Sequence, residues 1–276
     1  MLIWISLVNI LFASSEDIAL NYANGFFDAG YYEEAITEYK RFIFFNPSSE
    51  RVSHAYYKIA LAYRNERNWT KSIDAFRHSI HTAPNDSIRN EKELALAVTF
   101  IANGNYSRAE ILLLRVKSST NNPVIKQKAS FLQGIVYLYR FRWKSARDAF
   151  QEYLQENPEF QSQIDSLLAD AQKLKYKSPT LSKWLSTFFP GTGQVYAGDW
   201  KNGLNAMVLN GGLGSSIIYK IIKADYENAF VVYYFLFRRY YIGNRYHAQR
   251  IAWEYNEYLN RSSAHRILDT LMLYEE

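Results

Sequence analysis

Four small residues, Ala35, Ser72, Ala109 and Ala146, stand 37 positions apart, and each follows an aromatic residue by three: Tyr32, Trp69, Tyr106 and Trp143. The surrounding text repeats with them, as GYYEEAITEYKRF, RNWTKSIDAFRHS, GNYSRAEILLLRV and FRWKSARDAFQEY. Pro47, Pro84 and Pro158 keep the same step, with Asn121 where the third would fall. A fixed period of this size marks a stack of identical supersecondary units, which excludes a chain with one central sheet or one closed barrel. Within each string the aromatic opens a helix and the small residue lets that helix approach a partner closely. Tyr39, Phe76, Leu113 and Phe150 then continue the same face one turn on. Proline ends each unit because it cannot carry a helix onward. A lone helical hairpin leaves one apolar face uncovered, so the units must stack into a superhelix.

Composition agrees with long helices. Only 12 of 276 residues are Gly and 6 are Pro, too few for collagen-like, Pro-rich or Gly-punctuated all-β chains. A hydrophobic share of 48% with 17% aromatics is too apolar for a disordered chain. The absence of Cys removes disulfides, thiolate nucleophiles, Cys-bound zinc and iron–sulfur clusters. The net charge of +5 is spread along the sequence rather than gathered into a basic stripe, so nucleic acid is not an expected partner.

Over residues 16–160 the pattern resembles the tetratricopeptide repeat family, which places small residues at helix crossings, an aromatic before the second-helix Ala, and a terminal Pro. The resemblance implies an all-α solenoid of about four helix–turn–helix repeats that binds proteins rather than performing chemistry. Three extra residues per unit follow each proline, in PSSERVS, PNDSIRN and NNPVIKQ, and are expected to lengthen the first helices. Repeats of this longer kind are similar to those of Gram-negative envelope proteins. The family's first helices line a groove for a peptide or partner helix. By register that groove would be formed here by Leu20, Asn24 and Phe27, then Tyr57, Leu61 and Arg64, then Leu94, Val98 and Ile101, and finally Phe131, Ile135 and Leu138. Its character would be apolar. Leu20 and Leu94 stand where a carboxylate clamp would want cations, and only Asn24 matches such a clamp. Residues 161–177 read as one more amphipathic helix, a solvating cap carrying Ile164, Leu167, Leu168, Ala171 and Leu174.

Both ends point toward a membrane. The first thirteen residues, MLIWISLVNILFA, are uncharged and apolar on every side, then give way to Ser14-Ser15-Glu16-Asp17, the outline of a secretory signal or an N-terminal anchor. After Ser178 the text becomes Gly-rich and aromatic. Residues 203–222 hold one formal charge, Lys220, and are long enough for a bilayer core of about 30 Å. Asn205 and Asn210 make this a lean span, whereas its glycines and serines suit close helix packing. The following apolar run, 229–237, is short, so the two form a marginal hairpin around the loop 223–228. The hairpin either crosses a membrane, lies in its interface, or packs on protein. Arginines after the second run would keep both hairpin ends cytoplasmic, whereas an N-terminal signal would place the repeats outside; export into the periplasm is the preferred reading.

Ahead of this hairpin stand Pro190, Gly191, Gly193, Gln194, Tyr196, Gly198 and Gly203, a string that looks like the opening of small two-helix membrane modules of bacteria, P-G-x-G-Q-x-Y-x-G. The resemblance covers residues 180–243 and implies no catalytic role. Physically the glycines provide tight turns or close backbone approach, Gln194 satisfies backbone groups, and Tyr196 and Trp200 suit headgroup depth. Neither nucleotide fingerprint fits: Tyr196 occupies the third Gly of the dinucleotide motif, and Asp199-Trp200 replaces the Lys-Ser/Thr of a phosphate loop. The five His are scattered, His78 and His81 lack a completing carboxylate, and Glu33-Glu34 sit at a helix start where the macrodipole favours them. No cofactor, metal or catalytic residue is expected. The leading expectation is a non-enzymatic interaction scaffold of a Gram-negative envelope. The alternatives are a small transport or lipid-handling membrane module, and a soluble protein whose last helices fill the groove.

Overall fold

The computed structural model describes residues 15–154 and 158–275, which divide into two compact units, 1–163 and 164–276. The apolar residues 1–13 read as a signal lie outside the described residues. Among the described residues the regular structure is entirely helical, an α-solenoid of helix pairs followed by a helical C-terminal unit.

Eight helices build the first unit in four pairs: α1 (Ser15–Asp28) with α2 (Tyr32–Phe45), α3 (Val52–Asn65) with α4 (Trp69–His81), α5 (Asp86–Ala102) with α6 (Tyr106–Ser119), and α7 (Pro123–Tyr139) with α8 (Trp143–Tyr153). Each helix packs on the next in sequence, within a pair and from pair to pair. The periodic residues are the reason. Ala35, Ser72, Ala109 and Ala146 are wholly buried at the crossings, and Tyr39, Phe76, Leu113 and Phe150 fill the layer beside them. Ser72 donates its hydroxyl to the Ala60 carbonyl at 2.8 Å, so the polar member of the set is satisfied within the core. Gly134 belongs to the same logic, since a methyl group there would meet the buried Phe150 ring at 2.4 Å.

The turn inside every pair also keeps the period. Gly30, Arg67, Gly104 and Phe141 have φ of 82°, 58°, 71° and 57°. The next backbone N–H in each case reaches back five residues, Tyr31 to Phe26, Asn68 to Tyr63, Asn105 to Phe100 and Arg142 to Tyr137, at 2.8–2.9 Å. This is a left-handed C-terminal cap, which satisfies carbonyls that the ending helix cannot. In repeats two and three the following Asn caps the second helix, Asn68 accepting from Lys71 N–H and Asn105 from Arg108 N–H.

The extra residues after each proline behave in two ways. In the third and fourth repeats they lengthen the first helix to 17 residues, with Asn85 and Asn122 as N-caps. In the second repeat they form a turn ahead of α3, which stays at 14 residues. The following helix, α9 (Pro158–Gln172), buries Ile164, Leu168 and Ala171.

The second unit contains α10 (Pro179–Phe188), the short α11 (Thr192–Tyr196), α12 (Trp200–Ile222), α13 (Tyr226–Val231), a π-helical stretch Val232–Phe237, and α14 (Arg238–Glu275). α14 has 38 residues, about 57 Å of continuous helix. The second apolar run is therefore continuous with a long helix that runs on without a break to Glu275. α10 and α11 pack along α14, while α12 returns beside the π-helical stretch. Asn256 fastens the linker by accepting from Lys177 N–H and donating to the Lys177 carbonyl, both at 2.8 Å.

Candidate functional site

The residues expected to line a first-helix groove separate into core and surface. Leu20, Leu94 and Leu138 are buried and provide no open wall, because the close crossings that the small residues permit draw these leucines into the packing. Phe27, Tyr57, Leu61 and Ile101 are half-buried and packed against the core. Phe131 packs edge-on against Phe150 and tilted against Tyr153, with centroids at 6.1 and 4.7 Å. Asn24 accepts a 2.5 Å hydrogen bond from Tyr39 Oη, a donor held protonated because burial and the nearby Asp28 raise its pKa. Arg64, Val98 and Ile135 remain half-exposed. The first-helix face thus keeps a narrow mixed strip rather than the broad apolar trough that register alone implies.

The glycine string in the second unit forms a knot. Gly191 has φ +99°, and a methyl group on it would meet the Gly203 carbonyl oxygen at 2.2 Å; one on Gly193 would meet the Ser182 carbonyl oxygen at 1.9 Å. These two glycines bring α11 against α10 and against the start of α12, an approach no larger residue permits. Gly203 is buried for the same reason, its missing Cβ leaving room for Val195. Gln194 lies between helices with no exposed surface. Its Oε1 accepts from Ser186 Oγ at 2.8 Å, and its Nε2 donates to the Asn244 carbonyl at 3.3 Å and to Asn244 Oδ1. Ser182 Oγ bridges the Gly193 and Ala248 carbonyls at 2.9 and 2.7 Å. Tyr196 Oη accepts from Ser178 N–H at 3.0 Å, and Gly198, at φ +101°, ends α11 with a left-handed cap. Pro190 is half-exposed in the turn between α10 and α11.

The sequence motif therefore ties α10, α11, α12 and α14 together, and its partners Ser182, Ser186 and Asn244 went unrecognised. Ser182 and Ser186 are four apart on α10 and so share a face, which was a readable signal; Asn244, fifty residues beyond Gln194, was not.

Beyond the knot, α12, α13 and the π-helical stretch protrude with little packed against them. Only Gly203 and Asn210 are buried on α12, Ala229 on α13, and no residue of the π-helical stretch. Large apolar side chains are bare along the hairpin, including Val208 at 67%, Ile218 at 60%, Ile222 at 74% and Phe235 at 62%. Trp200 and Phe189 are exposed at its root, and Tyr219 and Tyr226 at its tip. The tip charges are partly internal: Lys220 Nζ lies 3.3 Å from Asp225 Oδ2. Hydrogen bonds from Asn228, with Lys220 beside it, hold the Asp225 carboxyl below its usual pKa. Among the described residues no helix is long and apolar enough to cross a membrane. The span anticipated at 203–222 is diluted by Asn205, Asn210, Lys220 and its glycines.

Among the described residues no group of His, Asp and Glu could hold a metal ion. No curated protein sequence matches the chain. The family model described as tetratricopeptide repeat matches residues 54–86 and 128–159, covering most of the second and fourth helix pairs. In those two stretches the solenoid is similar to tetratricopeptide repeats by sequence as well as by architecture.

Proposed function

We propose that this chain is a non-enzymatic protein-interaction scaffold whose helical repeats are held at a membrane surface by the C-terminal hairpin. The repeat match supports the scaffold half of the reading. The observation that carries the membrane half is the bare apolar hairpin: side chains such as Val208, Ile218 and Phe235 are left in contact with solvent by their own fold. A continuous apolar surface of this kind is a site for lipid or protein, since leaving it in water costs about 25 cal/mol per Å². Its charged tip and aromatic root suit a hairpin lying in the headgroup–acyl boundary rather than one crossing the bilayer. This placement also removes the clash between the arginines after the second apolar run and an exported array. Combined with the apolar residues 1–13, it favours the envelope of a Gram-negative bacterium, with the repeats in the periplasm and a protein partner on the first-helix strip.

Flotation of the full chain with phosphatidylethanolamine–phosphatidylglycerol vesicles tests the tether. The wild-type chain is expected to float, and the double substitution Ile218→Glu/Phe235→Glu, at two exposed positions, to remain at the bottom with unchanged helicity. Equal flotation of both proteins, or of neither, would contradict the assignment.

A further inference from the structure

A cleft opens elsewhere in the repeats, between the second helices α4 and α6 with α5 beneath them, and has a volume of about 560 Å³. Its floor is apolar, formed by Leu96, Phe100 and Leu112, each only 6% exposed. Leu96 and Phe100 lie on a different face of α5 from Leu94, Val98 and Ile101, so this cleft is distinct from the first-helix strip. Ile111 stands at its edge, 69% exposed.

Arginines surround this floor. Arg77 comes from α4, Arg89 from α5, and Arg108 and Arg115 from α6. Three have carboxylate neighbours: Arg77 is 3.2 Å from Asp74, Arg89 pairs with Asp86, and Arg115 is 2.8 Å from the buried Glu93. Arg108 makes no ion pair among the described residues and is exposed. Arg108, Ile111, Leu112 and Arg115 follow an i, i+3, i+4, i+7 pattern, so α6 presents an apolar pair bracketed by cations about 10.5 Å apart.

We infer that this cleft docks an acidic amphipathic helix of a partner protein. Two carboxylates on a partner helix, two turns apart, match the spacing of Arg108 and Arg115, and apolar side chains between them reach the Leu96–Phe100–Leu112 floor. A single small anion engages one or two guanidinium groups at a time, whereas a helix bearing several carboxylates meets cations supplied by three different helices. The assignment is independent of the membrane reading, since it uses only residues of the repeats.

The test uses the full chain in neutral detergent and a fluorescein-labelled helical peptide with two glutamates two turns apart bracketing a leucine pair, read by fluorescence anisotropy. Saturable binding that weakens as salt rises is expected. Arg108→Glu is expected to weaken it at least about tenfold, and Ile111→Glu to a similar degree. Both positions are exposed, so circular dichroism should match the wild type; Arg115 is left intact because it accompanies buried Glu93. A lysine-for-glutamate peptide is expected to bind Arg108→Glu better than it binds the wild type, a reversal that damage to the fold cannot produce. No binding by the wild type, or binding of the acidic peptide unaffected by Arg108→Glu, would overturn the inference. Displacement of the peptide by equimolar lauric acid would overturn it in favour of an acyl-anion pocket.

Discussion

Arg67 and Phe141 occupy a left-handed backbone conformation that the equivalent positions of the other two repeats give to glycine. A Cβ in this region costs about 1 kcal/mol, and the turn itself demands the conformation because the next N–H must reach back to close the helix. Arg67→Gly is therefore expected to raise stability by up to about 1 kcal/mol, and Gly104→Ala to lower it by about as much. At Gly104 the added methyl would meet nothing within 4 Å, which leaves the backbone angle as the whole cause. Thermal melts of the two variants check the pair, and equal shifts of the same sign would contradict the account.

Lys92 departs from its register in a different way, since Ala55 and Ala129 stand one repeat before and after it. It is 6% exposed, and its ammonium donates to Ser53 Oγ within a serine pair that also links Ser53 and Ser79 to each other's carbonyls at 2.7 Å. Burial pushes its pKa down to about 8, only partly opposed by Glu91. Because the folded value lies below the unfolded one, the unfolded chain holds the proton more tightly between pH 8 and the ordinary value of 10.5. Stability thus rises with pH across that window and gains nothing from this group below it. Lys92→Met is expected to stabilise the repeats by about 1–2 kcal/mol at pH 7, an advantage that shrinks toward pH 10. Denaturant unfolding of both proteins at the two pH values tests this, and a pH-independent difference would sink it.

At the scale of elements, the close approach of α10, α11 and α12 depends on Gly191, Gly193 and Gly203, with Gln194 satisfying the polar groups that this approach buries. Gly193→Ala would force a backbone shift against Ser182 and is expected to cost at least about 3 kcal/mol. Gln194→Leu would leave Ser186 and Asn244 without their partner, at about 2–3 kcal/mol. Limited proteolysis should then cut near α11 sooner than in the wild type; unchanged protection would show that the knot does not hold the unit together. The repeats were legible because each helix meets its neighbours at a short, constant separation in sequence, so one period encodes local turn, crossing and core at once. Leu20, Leu94 and Leu138, assigned to the groove by register, are buried, because register identifies a helix face but not how deeply a neighbouring helix covers it. The motif's glycines were visible as requirements for close approach, whereas Asn244 was not, since a contact fifty residues away leaves no periodic trace.

Taken whole, the molecule contrasts a solenoid that covers its apolar periodic residues with a hairpin that leaves comparable residues bare. Tyr39, Phe76, Leu113 and Phe150 are 0–1% exposed, whereas Val208, Ile218 and Phe235 exceed 59%. This asymmetry is the physical basis of the proposal that the hairpin lies in a membrane interface with the repeats in water. The chain contains no native cysteine, so single cysteines at Val208, Ile218 and Phe235 can each be spin-labelled without background. Depth-sensitive relaxation of these labels on vesicle-bound full chain tests the central claim most directly, with a label at exposed Lys71 on α4 as the aqueous reference. The account predicts greater access to dissolved oxygen than to an aqueous nickel chelate at all three hairpin positions, at shallow and similar depths, with the reverse at position 71. Hairpin labels as open to the chelate as position 71 would contradict it.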